Sequence, residues 1–179
     1  MHDEGLGDYN ELHGYLIRRT AATLANLGKH ALGWEENLDG SPPPTLIIQW
    51  WRQRTHGDSA AREALRRGHR VIASPNSFTY LSFPTAPDEH FAEDRTSDLR
   101  KVYTATYDRS LSEHAVGTPG EFLGVECCCW TEYLTEELIE PMIFPRILAC
   151  AEIMRGSPEE RDYDAFVARV PAMEAAVRR

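Results

Sequence analysis

Helix-like and strand-like segments alternate along the chain. Residues 8–27 carry leucines at helical spacing, and Asp8 with Glu11 forms a capping box at the start of that segment. Gly28 suits the left-handed conformation that commonly ends a helix. The pattern therefore predicts a first helix over residues 8–27, with its leucines along one stripe. The stripe consists of Leu12, Leu16, Leu24 and Leu27.

Four apolar segments are predicted strands. One of them, TLIIQWW at residues 45–51, is rich in β-branched residues and nearly all apolar, which is typical of a strand covered on both faces. Helical patterns such as residues 58–67 separate the segments, so we predict a parallel sheet in an α/β fold. The polar stretch from residue 83 to about 98 is long enough to indicate a functional or mobile loop. The four strand segments are residues 31–34, 45–51, 70–74 and 122–130.

Prolines punctuate the last third of the chain. A helix is predicted from about residue 136 to 155, with interruptions at Pro141 and Pro145. Ser157 is a good N-cap for a further helix. Val170-Pro171 is expected to separate that helix from a short last one.

Charge and composition limit the classes of partner that this chain is expected to bind. The chain has 179 residues with 19 basic and 28 acidic side chains, a net charge of −9. Nucleic acid and anionic membranes reward clustered cations, so neither is expected as a partner. No apolar run approaches the roughly 18 residues that a membrane span needs.

The N-terminus and the cysteines indicate a compartment. The first five residues show neither the basic nor the apolar region of a secretory signal, so a cytoplasmic location is expected if the chain is complete. Cys127, Cys128 and Cys129 are consecutive and lack the spacing of a zinc site, and the histidines are scattered. No metal or other cofactor is expected. The cysteines, with Cys150, are interpreted as small buried side chains in a reducing environment.

Aromatic and acidic residues cluster where the predicted strands end. In a parallel α/β array these ends meet on one face, where active sites are built. Indole rings pack on the apolar faces of pyranose rings, and carboxylates accept hydrogen bonds from sugar hydroxyls. A single tryptophan of this kind is more often a half-buried core residue, but the set together predicts a sugar site. The segments are Trp34-Glu35-Glu36, Trp50-Trp51, Tyr80 and Trp130-Thr131-Glu132.

These segments belong to five blocks that, in this order, resemble the C-terminal half of the family 20 glycoside hydrolases, the β-N-acetylhexosaminidases. The resemblance extends from Asp3 to about Arg169. One W-x-E motif alone would be weak, whereas five blocks in the same order are specific. The blocks are Gly28-Lys29 leading into Gly33-Trp34-Glu35-Glu36, Gln49-Trp50-Trp51-Arg52, Ser74-Pro75 to Tyr80-Leu81, Leu123-Gly124-Val125-Glu126 leading into Trp130-Thr131-Glu132, and Phe144-Pro145-Arg146 with Ala151-Glu152.

The resemblance implies a partial (β/α)8 TIM barrel. It comprises about four parallel βα units, corresponding to strands 5 to 8, plus C-terminal helices. A whole barrel needs about 250 residues, so the shortfall is interpreted as missing strands rather than shortened loops. We expect the C-terminal half of the catalytic barrel over residues 1–155 and a helical extension packed on it over residues 156–179.

The resemblance also implies catalytic roles. Asp3-Glu4, which stands 31 residues before Trp34, matches the family's acidic doublet. By this match Glu4 is the general acid, and Asp3 orients the substrate's 2-acetamido group, whose carbonyl oxygen is the nucleophile. Tyr80 matches the tyrosine that hydrogen-bonds that carbonyl. From the residues alone, an acidic pair so close to a terminus is commonly a solvated end.

The substrate-binding residues follow in the same way. Trp34, Trp51 and Trp130 match the walls of the −1 subsite, and Glu132 matches the carboxylate that holds sugar hydroxyls. Ser82 stands where the family usually has an aspartate that binds sugar hydroxyls. A hydroxyl is a weaker partner than a carboxylate, so weaker recognition of the distal hydroxyls is expected.

Three functions remain open from the sequence. The first is a glycosidase that removes terminal β-linked N-acetylhexosamine from a glycan by retaining, substrate-assisted hydrolysis. The second is a non-catalytic carbohydrate-binding half-barrel. The third is a truncated, inactive remnant. Four βα units leave two open sheet edges, so pairing with an N-terminal half or with a second copy as a homodimer is expected.

Overall fold

The computed structural model describes residues 5–86, 95–132 and 134–177. The chain forms two compact units. The first consists of Met1–Ala73 and Leu111–Gly124, and the second of Ser74–Ser110 and Val125–Arg179. The division expected between residues 155 and 156 stays a prediction.

Four short strands form where the apolar segments predict them. They are β1 (Leu32–Trp34), β2 (Ile47–Trp50), β3 (Arg70–Ala73) and β4 (Glu121–Val125), and they lie in one sheet in the order β1-β2-β3-β4. β1 and β2 pair parallel with Leu32 opposite Ile47, and β2 and β3 pair parallel with Ile48 opposite Val71. Helices fill the connections, which confirms the predicted α/β class.

The first helix, α1 (Tyr9–Asn26), has the predicted N-cap at Asp8, while Glu11 bonds to the N–H of Gly7 and not to that of Asp8 as a capping box would. The Asp8 carboxylate accepts a hydrogen bond from the Glu11 N–H at 2.8 Å, and the Glu11 carboxylate accepts one from the Gly7 N–H at 2.6 Å. At the other end Gly28 has φ +67°, and the Gly28 and Lys29 N–H groups bond to the last carbonyls of the helix, as in a Schellman motif. Both helix ends are therefore fixed by local chemistry.

The leucine stripe of α1 does not form its buried face. Leu12 and Leu16 are exposed, whereas Gly14 and Ala21 are buried. Gly14 is buried because α1 packs against the 3₁₀ helix Glu35–Gly40, and a Cβ on Gly14 would lie 2.4 Å from the Gly40 carbonyl oxygen. Backbone contact, and not the leucine stripe, therefore determines the orientation of α1.

The connection after β2 contains α2 (Gln53–His56) and α3 (Ser59–Arg66). The buried face of α3 packs on β2 and β3. That face consists of Ala61, Ala64 and Leu65. His69, just before β3, is 1% exposed, and its Nδ1 lies 3.0 Å from the Leu46 carbonyl oxygen. Burial lowers the pKa of His69 from its usual value near 6.5, so the neutral ring donates Nδ1–H to that carbonyl.

The second unit has a helical core. Its helices are α4 (Leu99–Tyr103), α6 (Glu136–Ile143), α7 (Arg146–Arg155) and α8 (Tyr163–Val177). It also contains the first turn of α5 (Tyr107–Ala115), as far as Ser110. The ring of Tyr103 stacks on Phe166 with centroids 4.6 Å apart, which anchors α8 to α4. The buried cluster consists of Leu81, Val102, Tyr103, Leu148, Ala149, Cys150, Ile153 and Phe166.

Four predictions need correction. α8 continues through Pro171, so Val170-Pro171 does not separate two helices, and a 3₁₀ turn, not a long helix, follows Ser157. Pro141 lies inside α6 and does not interrupt it. The helical conformation is interrupted between α6 and α7, at the cis Phe144–Pro145 bond. β4 ends at Val125, short of the predicted residue 130.

Candidate functional site

In the first unit, two tryptophans meet at neighbouring strand ends. Trp34 ends β1 and Trp51 follows β2, and their rings pack edge to face with centroids 6.4 Å apart. The Trp51 indole Nε1 donates to Glu36 Oε1 at 3.0 Å. Trp50, by contrast, is 1% exposed and belongs to the core. Adjacent strand residues face opposite sides, so only Trp51 of this pair is available to a ligand.

A buried carboxylate supports that arrangement. Glu35 is 1% exposed, and its Oε2 accepts the Trp51 N–H at 3.0 Å. Its Oε1 accepts Arg52 Nε at 2.5 Å, and this bond is the main reason that the pKa of Arg52 is raised. A buried charge is tolerated when it is paired and hydrogen-bonded. Glu35 therefore ties the residues after β2 to the end of β1.

In the second unit, Tyr80 packs against Trp130. Tyr80 makes a parallel bridge with Cys128, and the Leu81 N–H donates to the Cys128 carbonyl at 2.7 Å. The Tyr80 ring lies 5.9 Å from the Trp130 ring and 5.7 Å from the Phe83 ring, measured between centroids. Tyr80 is 7% exposed and Trp130 40%. The indole is thus available to solvent while the tyrosine is packed in place.

A buried guanidinium holds the segment that follows Tyr80. Arg146, at the start of α7, is 1% exposed. Its Nη2 donates to the Leu81 carbonyl at 2.6 Å, and its Nη1 donates to the carbonyls of Phe83 at 2.8 Å and Ser97 at 2.7 Å. Burial lowers the pKa of Arg146. In the sequence, Arg146 was recognised only as part of the Phe144-Pro145-Arg146 block, with no role assigned to it. A pattern of hydrophobic positions cannot indicate that a charged side chain will be buried against main-chain carbonyls.

The cysteines pack as thiols. All four are free, and Cys150 is fully buried. A hydrogen bond with Cys150 is the main reason that the pKa of Cys127 is raised far above its usual value, and burial raises the pKa of Cys128 to about 11. A raised pKa disfavours the nucleophilic thiolate. Cys150 is buried as interpreted, whereas Cys127, Cys128 and Cys129 are only half-buried.

The other predicted site residues are placed as follows. Ser82 is buried, with 9% of its surface exposed, directly after Leu81. Glu132 is exposed. Asp3 and Glu4 lie outside the described residues. The structure thus brings Trp34 together with Trp51, and Tyr80 together with Trp130, each pair within its own unit.

One open cavity of about 490 Å³ lies in the first unit, between the 3₁₀ helix and α2 and α3. Its lining includes Glu35, Arg52 and Arg67, and among the described residues it contains none of those assigned to sugar binding. In residues 5–86, 95–132 and 134–177, no group of three or more His, Cys, Asp or Glu side chains is arranged to hold a metal ion. No helix in that part of the chain is long and apolar enough to span a membrane.

Known proteins match this chain over most of its length. The model of the glycosyl hydrolase family 20 catalytic domain matches residues 1–156. A beta-hexosaminidase from Porphyromonas gingivalis is 31% identical over 176 residues, which is 95% of this chain and 22% of that protein. A beta-N-acetylhexosaminidase from Cellulomonas fimi is 31% identical over 178 residues, 94% of this chain and 34% of that protein.

Two solved structures share the fold. A beta-N-acetylhexosaminidase from Bacteroides fragilis matches with a TM-score of 0.83 and 32% identity, over 99% of this chain and 36% of that one. An exo beta-N-acetylglucosaminidase from Vibrio harveyi, in complex with N-acetylglucosamine, matches with a TM-score of 0.79 and 26% identity, over 99% of this chain and 28% of that one.

The likeness in fold confirms the prediction of an α/β chain that forms part of a TIM barrel. The chain spans between 22% and 36% of the length of these four relatives. The sequence blocks, the parallel strands and the match over residues 1–156 agree. The chain belongs to glycosyl hydrolase family 20.

Proposed function

We propose that this chain is the later part of a β-N-acetylhexosaminidase that hydrolyses terminal β-linked N-acetylhexosamine. The observation that carries the proposal is the packing of Tyr80 against Trp130, with ring centroids 5.9 Å apart. A tyrosine hydroxyl can donate to an acetamido carbonyl, and a tryptophan face can pack on a pyranose ring. The family membership and the names of the relatives support the same substrate class.

The proposed reaction is retaining and substrate-assisted. The carbonyl oxygen of the substrate's 2-acetamido group attacks C1, while Glu4 donates its proton to the leaving glycosidic oxygen. Asp3 orients the acetamido group during that step. Water then attacks C1 of the cyclic intermediate and transfers its proton to Glu4, which restores the acid and the acetamido group. Because C1 is inverted twice, the product keeps the β configuration.

Tyr80 contributes to this reaction as a hydrogen-bond donor. Its hydroxyl would donate to the acetamido carbonyl oxygen and hold it for attack. The ring is fixed by Phe83 and Trp130, so the donor is positioned before the substrate arrives. Trp130 would form a wall of the subsite.

Trp34 and Trp51 would supply further apolar walls, and Glu132 would accept hydrogen bonds from sugar hydroxyls. Ser82 is buried, and its hydroxyl stands where the family usually has an aspartate carboxylate. We therefore expect weaker discrimination between substrates at the distal hydroxyls than an aspartate would give.

Additional βα units are part of the proposal. β1 and β4 are the outer strands of the described sheet, and Leu12 and Leu16 of α1 and Leu32 of β1 are exposed. A second copy of this chain, or an N-terminal half of the barrel, would cover these edges. Light scattering distinguishes the homodimer from the pairing with an N-terminal half, because it gives the mass of the purified chain alone and after co-expression with that half.

The experiment that tests the function measures both turnover and binding. Hydrolysis of p-nitrophenyl N-acetyl-β-glucosaminide that is lost in Glu4→Gln supports the enzyme. Binding of N-acetylglucosamine thiazoline that depends on Trp130, without turnover, supports the carbohydrate-binding half-barrel. If neither is seen with the chain alone or with an N-terminal half, the proposal is wrong.

A further inference from the structure

Two consecutive carboxylates hold the tryptophan that follows the next strand. The Trp51 main-chain N–H donates to Glu35 Oε2 at 3.0 Å, and its indole N–H donates to Glu36 Oε1, also at 3.0 Å. The backbone and the side chain of one residue are thus held by neighbouring residues from the end of β1. No local sequence rule requires this, because the partners are 15 and 16 residues apart.

The two carboxylates differ in their surroundings. Glu35 has no exposed side-chain surface and is tied to Arg52 through Nε at 2.5 Å, so its removal would take away the shorter of two carboxylate contacts of that guanidinium, whose side chain is 30% exposed. The Glu36 side chain is 41% exposed. Its Oε1 accepts the indole N–H and lies 3.9 Å from Arg52 Nε, and its buried Oε2 has no hydrogen-bond partner among the described residues. Glu35 is therefore a fixed anchor, whereas the more exposed Glu36 is the residue to substitute.

The indole of Trp51 has a second constraint. Its ring packs edge to face on Trp34, with an interplanar angle of 78°. A ring held at its N–H by Glu36 and packed at 78° against Trp34 is restricted in the orientation that it can present to a ligand. Stacking on a pyranose depends on that orientation, because only the flat face of the indole matches the C–H face of the sugar.

We propose that Glu36 is a positioning residue for sugar binding, in that it fixes the face that Trp51 presents to the pyranose ring. Glu35 holds the main chain beneath it. This inference rests on the assignment of Trp51 to sugar binding in the proposed function. It adds a determinant that does not itself touch the substrate and that acts through one hydrogen bond to an indole.

The test compares two substitutions in the full chain. Glu36→Gln keeps a carbonyl oxygen that can accept the indole N–H, whereas Glu36→Ala removes the acceptor. Loss of one hydrogen bond that orients a binding group corresponds to about a tenfold change in Kd. We expect Glu36→Ala to weaken N-acetylglucosamine thiazoline binding about tenfold in calorimetry, and Glu36→Gln to stay within about threefold. The exposed Glu160 provides a matched control, and Glu160→Ala should leave the Kd unchanged.

A spectroscopic readout separates positioning from stability. The edge-to-face pair of Trp34 and Trp51 should give a near-ultraviolet circular dichroism band that Trp34→Phe abolishes. Glu36→Ala should alter this band without a large shift in Tm, and Glu36→Gln should preserve it. An unchanged band and Kd in Glu36→Ala, or equal losses in both variants, would overturn the inference. If the unaltered chain binds no thiazoline, that counts against the proposed function, while the band still decides whether Glu36 positions Trp51.

Discussion

Arg146 is the side chain whose loss should do the most damage to the Tyr80 segment. Its guanidinium is buried and donates to four main-chain carbonyls, of which one, that of Met142, belongs to the neighbouring helix α6 and three are distant along the chain. Those three belong to Leu81, Phe83 and Ser97. Arg146→Met fills a similar volume but removes every donor, so two buried carbonyls and the half-buried one of Phe83 lose this partner.

The magnitude follows from these contacts. A buried carbonyl left without a donor costs about 1–3 kcal/mol, so these three together cost at most about 3–9 kcal/mol. Removal of a buried charge returns several kcal/mol of desolvation. We therefore expect Arg146→Met to lower the free energy of unfolding by about 2–5 kcal/mol. Arg146→Lys keeps the charge but supplies fewer and differently directed donors, so it should recover only part of this loss.

Urea unfolding followed by tryptophan fluorescence measures the effect. With a denaturant slope of about 1–3 kcal/mol/M, the midpoint should fall by about 1–2 M. Arg155, exposed at the end of the same helix, provides the control, and Arg155→Met should change the free energy of unfolding by less than about 0.5 kcal/mol. If Arg146→Met and Arg155→Met have equal midpoints, the carbonyl contacts do not stabilise the fold and the reasoning is refuted.

Two further predictions concern the first unit. Burial lowers the pKa of His69 below 6.5, so below about pH 6.5 the unfolded chain takes up a proton that the folded chain does not, and stability falls as the pH falls. The control variant is His69→Asn, which keeps a donor for the Leu46 carbonyl but does not titrate. The difference in unfolding free energy between the wild type and this variant should decrease from pH 7.5 to 5.5. Parallel pH profiles of the two proteins would contradict this. Gly14→Ala places a Cβ 2.4 Å from the Gly40 oxygen, so it should lower the unfolding free energy by about 1–3 kcal/mol. Gly7→Ala, where the nearest atom is 3.5 Å away, should be neutral, and a stabilising Gly14→Ala would refute the close packing.

Local features of the fold could be predicted from the sequence. The ends of α1 depend on side chains and turns within a few residues, so Asp8, Glu11 and Gly28 identified them. The strands β2 and β3 were located because β-branched apolar runs are a strong local signal, and β1 was located from a short apolar run. The orientation of α1 could not be predicted, because it depends on the contact of Gly14 with Gly40, which the leucine stripe does not indicate.

The candidate site shows the same division. Motif order predicted Trp34, Trp51, Tyr80 and Trp130 as site residues, which stays a prediction, and the structure packs them in two pairs. The groups that hold them were not predicted as such. Pro171 also misled, since a proline ends a helix in isolation, whereas α8 retains it while Phe166 anchors the helix to the core.

The central claim is that Tyr80 and its neighbours act on N-acetylhexosamine. The most direct test is the kcat/KM for p-nitrophenyl N-acetyl-β-glucosaminide of the purified chain, alone and with an N-terminal half. We predict turnover that Tyr80→Phe lowers by about 10²–10³-fold, as expected for loss of one donor to a reacting oxygen. Tyr9→Phe, at a tyrosine that is 82% exposed, should leave the rate unchanged. Turnover that is equal in the wild type and Tyr80→Phe, or the absence of both turnover and thiazoline binding in every combination, would contradict the account.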